Sequence, residues 1–164
     1  MKMDGIHKSI LLWGVLCLIG FGAYHFPTFG RDVMQPMPFW TVLTVIGVIG
    51  MIKWVPAWQK NKVVHVWLVV GVLGMLYHWA FFSGVVPALI PSAWAYWALL
   101  MAAGFVATGH FWKDNYWYYI GALNALAFVA VFFFSAAVGM NGSALLALVS
   151  GLPLIYYGAA NKMA

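Results

Sequence analysis

Six apolar stretches run through the sequence, at residues 9–26, 38–54, 63–86, 93–112, 116–138 and 142–160. Each is close to the roughly 20 residues that carry an α-helix across a hydrocarbon core about 30 Å thick. No polar block long enough to fold in water remains beside them. The chain is 65% hydrophobic and 7% charged, too few charges to cover a soluble surface. The expected fold class is therefore an all-α integral membrane protein, a compact bundle of six transmembrane helices forming one multi-pass domain over 1–164.

The breaks between stretches carry turn and charge signals. The first holds Gly30, Arg31, Asp32 and Pro36, and the second Pro56, Lys60 and Asn61. Pro87 and Pro91 bracket the third, Lys113-Asp114-Asn115 makes the fourth, and Gly139-Met140-Asn141 the fifth. The first and last stretches look least regular, because Gly14, Gly20, Gly22 and Pro153 loosen a helix. With six spans, Lys2, Lys8, Lys53, Lys60, Lys62, Lys113 and Lys162 all fall on one side, and Arg31 alone falls on the other. By the positive-inside rule this predicts both termini in the cytoplasm of a cell that carries the chain in its inner or plasma membrane. The first span, with Lys2 and Lys8 ahead of it, reads as a retained anchor rather than a cleaved signal.

The net charge of +5 does not point to nucleic acid, because the basic residues are scattered and form no basic face. The only cysteine, Cys17, sits in an apolar run and reads as a packing residue. Trp40, Trp54, Trp58, Trp94, Trp97, Trp112 and the run Tyr116-Trp117-Tyr118-Tyr119 fall near span ends, where aromatic rings anchor at the headgroup level. None of the three acidic residues lies inside a span, which weighs against an ion-coupled carrier or proton pump. Asn124, in the first half of the fifth span, is expected to bond to a neighbouring helix, since lipid offers no partner. Ala98/Ala102, Ala103/Ala107 and Gly121/Ala125, with the short fourth break, predict a close pairing of the fourth and fifth spans.

Four histidines call for geometry. His25 and His78 fall at similar depth toward one face, and His65 and His110 toward the other. Two imidazoles on neighbouring helices at matching depth are the axial set of haem b. The pairs His25 with His78 and His65 with His110 are the expected haem-ligand pairs, with Gly71, Gly74 and Gly109 leaving room for a flat macrocycle. The thirteen residues between His65 and His78 turn the two imidazoles roughly 140° apart, a loose fit for two stacked haems. Interfacial packing, and contact with another metal or a quinone, stay open beside haem. In the first break, His25, Asp32, Met34 and Met37 form a second metal reading, with thioethers suited to Cu(I).

The function these readings predict is a small multi-pass subunit of a larger membrane complex, redox or energy-converting. It would ligate haem b through the paired histidines, sit among membrane lipids and partner subunits, and not be catalytic by itself. The alternatives are a pore or transporter for a neutral solute, acting as a homo-oligomer, and a purely structural subunit. A transport path would be lined by Asn124, Thr44, Thr108, Ser135 and backbone exposed near Pro153.

Overall fold

A computed structural model describes residues 3–24, 36–85, 93–138 and 141–160, and all regular structure among them is helical. Six long helices follow the six apolar stretches: α1 (Gly5–Ala23), α2 (Pro36–Trp54), α3 (Lys62–Phe82), α4 (Ala93–Trp112), α5 (Asn115–Phe133) and α6 (Asn141–Ala160). Of these, α1, α3, α5 and α6 are long and apolar enough to cross a membrane, and α2 is apolar over the shorter run Pro38–Trp54.

The boundaries differ from the apolar stretches where capping intervenes. α1 starts at Gly5 rather than at residue 9, because the Asp4 side chain accepts from the His7 N–H at 2.9 Å and takes up one orphan donor of the first turn. That bond holds the Asp4 carboxyl below the usual range. α3 stops at Phe82, with Ser83 and then Gly84 at φ +72° leading out of the helix. α5 stops at Phe133, because Phe134 leaves helical geometry (φ −119°, ψ 30°), and Ser135–Val138 forms a separate turn. Asn61 caps α3 through its side-chain oxygen, bonded to the Val63 and Val64 N–H groups.

α4 and α5 are the most closely packed pair, as their short connection predicts. Lys113 turns the chain at φ +54°, Asp114 caps α5 through the Tyr116 N–H, and the helices meet at small residues. A Cβ on Gly121 would stand 2.8 Å from Val106 and 3.3 Å from the Ala102 carbonyl. α1 and α6 form the next closest pair. Gly14, expected only to loosen the first helix, is what lets α6 approach: a Cβ there would lie 2.7 Å from the Ile155 backbone nitrogen.

Cross-helix contacts gather the lysine-bearing ends at one end of the bundle. Lys62 at the start of α3 lies 5.6 Å from the Phe111 ring at the end of α4. The Tyr157 hydroxyl donates to Asp114 at 3.0 Å, and the His7 ring stacks on Tyr157. Lys8, Lys53, Lys60, Lys62 and Lys113 thus share one end.

Proline explains the irregular middle of α6. Residues Ala147–Gly151 form a π-helical turn just ahead of Pro153. Pro153 has no N–H for the carbonyl four residues back, which is Val149. Asn124, fully buried, donates to that carbonyl at 3.3 Å and to Ile120 at 3.0 Å, and its own oxygen accepts from the Ser150 hydroxyl at 2.7 Å. One polar side chain on α5 therefore serves the break in α6. Asn124→Leu is expected to cost about 0.6–2 kcal/mol, the range for polar bonds between membrane helices. The cost should shrink in a Pro153→Ala background, where the Val149 carbonyl regains a backbone donor. Unfolding in detergent reads this coupling, and equal costs in both backgrounds would refute it.

Candidate functional site

The interior is not filled throughout. α1, α2, α3 and α4 enclose a slot of about 100 Å³, with the first turns of α5 closing one end. Along α1 its lining runs from Ile6 to Phe21, fifteen residues or about 22 Å at 1.5 Å each. At that volume the slot is narrow and too small for a macrocycle. Six indoles form much of its wall: Trp13, Trp40, Trp67, Trp97, Trp112 and Trp117. Trp40, Trp97 and Trp117, expected at the membrane interface, are instead 3%, 5% and 1% exposed. They are core residues, because a ring filling a notch opposite glycine buries more surface than one at a headgroup. Trp40 lies against Gly20, Trp97 against Gly74 and Trp13 against Gly47.

The wall's polar groups are few. Thr108 donates back to the Gly104 carbonyl at 2.8 Å and accepts from Trp67 Nε1 at 3.0 Å. Thr44 contacts the Met75 sulfur at 3.8 Å. Ser9 and Asn61 line the slot toward the lysine-bearing end. The indole N–H groups of Trp13 and Trp40 are buried with no hydrogen-bond partner among the described residues. Gly71, on α3, also lines the slot, and a Cβ added there meets nothing within 4 Å.

The histidines distribute differently from a ligand set. His78 is 1% exposed, and its Nδ1 accepts from Trp97 Nε1 at 2.8 Å. An indole N–H is only a donor, so it fixes the lone pair on Nδ1 and, in the neutral ring, the hydrogen on Nε2. An iron ligand needs a lone pair on Nε2, and Nδ1–H would then face another N–H. In this arrangement the Trp97 N–H occupies the His78 Nδ1 lone pair. The glycines expected to admit a macrocycle are otherwise used: Trp97 fills the space at Gly74, and the Tyr118 ring lies 3.1 Å from where a Cβ on Gly109 would stand. His65 and His110 are both exposed, on neighbouring antiparallel helices at the lysine-bearing end. His25, Asp32 and Met34 lie outside the described residues. Met37 falls in the first turn of α2, with its side chain outside them as well, so both the His25 pairing and the copper reading fall there. Among the described residues, no three His, Cys, Asp or Glu side chains gather as a metal-holding group.

Of the path proposed from sequence, Thr44 and Thr108 reach the slot. Asn124 is committed to α6, and the Pro153 carbonyl accepts from the Tyr116 hydroxyl at 2.9 Å. Trp13, Cys17 and Trp67 were not legible as slot-lining residues, because an apolar residue lining a slot has the same sequence signature as one packed in a core. No known protein family, curated protein or solved structure matches the chain.

Proposed function

We propose that this chain is a six-span membrane protein that takes up the hydrocarbon chain of a membrane-dissolved molecule in its central slot, binding it or passing it on. The observation that carries the reading is the slot itself: apolar, narrow, walled by indoles and lined along α1 by residues from Ile6 to Phe21. Apolar cavities of this order stay dry and bind apolar guests. A linear chain suits its shape, and the nearly unbroken apolar wall suits its chemistry.

Gly71 supplies the test. Gly71→Leu adds a bulky side chain to the slot wall, at a position where a Cβ meets nothing within 4 Å. A bromine-labelled stearyl alcohol is expected to quench tryptophan fluorescence of the purified protein, and Gly71→Leu should remove most of that quenching. Quenching unchanged by the substitution would sink the reading.

The membrane topology belongs to the same proposal. Six spans with the lysine-bearing end in the cytoplasm follow from the charge asymmetry. Reporters fused after Lys62 and Asn115 are expected to report cytoplasm, and those after Asp32 and Pro91 the opposite side. An external signal after Lys62 would overturn it.

A second reading is a subunit of a larger redox complex that holds haem b against a partner subunit. What supports it is the exposed, level placement of His65 and His110 on α3 and α4. A Soret band lost in both His65→Ala and His110→Ala is its expected signature, and purified complex without that band would refute it.

A further inference from the structure

We infer that the occupant of the slot is a single-chain amphiphile with an anionic head, a carboxylate or phosphate, held with its head at the lysine-bearing end and its tail toward Phe21 and Trp40. This rests on the slot reading above. The two ends of the slot differ in chemistry. Phe21 and Trp40 close one end with tilted rings whose centroids lie 4.8 Å apart, and Trp97 lies against both. The other end carries the wall's Ser9 and Asn61, together with Val55, Val63 and Val64.

Sequence places cations immediately beside each of those residues. Lys8 precedes Ser9, Lys60 and Lys62 flank Asn61, and Lys53 lies two residues before Val55. Lys53, Lys60 and Lys62 are exposed. The described acids at that end are already engaged. Asp4 pairs with His7 at 2.8 Å and caps α1, while Asp114 accepts from Tyr157 and caps α5. The five described lysines at that end outnumber its two described carboxylates, Asp4 and Asp114, which leaves a net positive field there. Trp117, 1% exposed and in the slot wall, lies in the first turn of α5 at the same end. Charge, hydroxyl and amide groups at one end and an aromatic stop at the other define an orientation as well as a ligand class.

The test uses the full chain in detergent and bromine-labelled probes that share one tail: a fatty acid, its alkyl phosphate and its alcohol. Tryptophan quenching reads binding. The acid, the phosphate or both are expected to bind more tightly than the alcohol, with the preference weakening as salt is raised. Lys53→Gln, Lys60→Gln and Lys62→Gln lie on the exposed surface, so the fold should survive them. Each is expected to weaken binding of an anionic probe about fivefold and leave the alcohol unchanged. Comparing acid with phosphate separates a fatty-acid source from a phospholipid-derived one. If acid, phosphate and alcohol bind equally and all are displaced by Gly71→Leu, the slot reading holds and the anionic head is overturned. If Gly71→Leu leaves quenching by every probe unchanged, the slot reading fails and the orientation fails with it.

Discussion

Trp97→Ala is expected to destabilise the bundle by about 3–5 kcal/mol, the range for deleting a large buried aromatic ring. Trp97 stacks on Trp40 with ring centroids 5.8 Å apart, meets Phe21 edge-on at 6.4 Å, and fills the notch at Gly74 on α3. It thus ties α4 to α1, α2 and α3 beside the slot. Truncation would widen the slot at its aromatic end and remove the N–H that His78 Nδ1 accepts at 2.8 Å. Trp97→Phe separates the two effects. It keeps an aromatic ring in the notch and loses the N–H, so about 0.5–1.5 kcal/mol should remain, the net worth of a typical hydrogen bond. In a His78→Leu background Trp97→Phe should cost less, because the bond it breaks is already gone. Unfolding midpoints in detergent measure all three. Trp97→Ala unfolding at the wild-type midpoint would contradict this account of the core.

Gly158→Val should also destabilise the bundle, by the opposite mechanism. A Cβ on Gly158 would stand 2.7 Å from the Leu11 backbone nitrogen and 2.9 Å from its Cα. Backbone cannot swing aside as a side-chain tip does, so α6 would have to move off α1. Overpacking of this kind costs about 1–3 kcal/mol, and it acts on the second closest helix pair in the bundle. Gly22→Val is the control: it changes the same residue type on α1, where an added Cβ meets nothing within 4 Å. The expected result is a large loss of stability for Gly158→Val and a small one for Gly22→Val. Comparable losses would mean that helix propensity, not close approach, is what the glycines provide.

The positions of the six helices follow from the sequence by itself. Apolar runs of membrane length, broken by Pro, Gly and charged residues, leave little choice, and α4 occupies the same residues 93–112 as its apolar run. The grouping of the lysines and the close α4–α5 pair were legible for the same kind of reason: both depend on order along the chain and on loop length. What faces what was not. A soluble helix marks its inner face with a polar outer one, but these helices are apolar all round, so that mark is missing. On α2, Leu43 and Met51 are buried while Val42, Ile46 and Ile49 are exposed, and nothing in their chemistry separates the two groups. For that reason Trp40, Trp97 and Trp117 read as interface anchors and became core. Likewise only the packing shows that the Trp97 indole sits at Gly74 and that His78 accepts its N–H. The Val149 carbonyl left without a donor by Pro153 was implicit in the sequence, as was the expectation that Asn124 bonds to another helix. Only the packing of α5 on α6 joined the two, because a hydrogen bond between residues 25 apart depends on distances that helix order alone does not set.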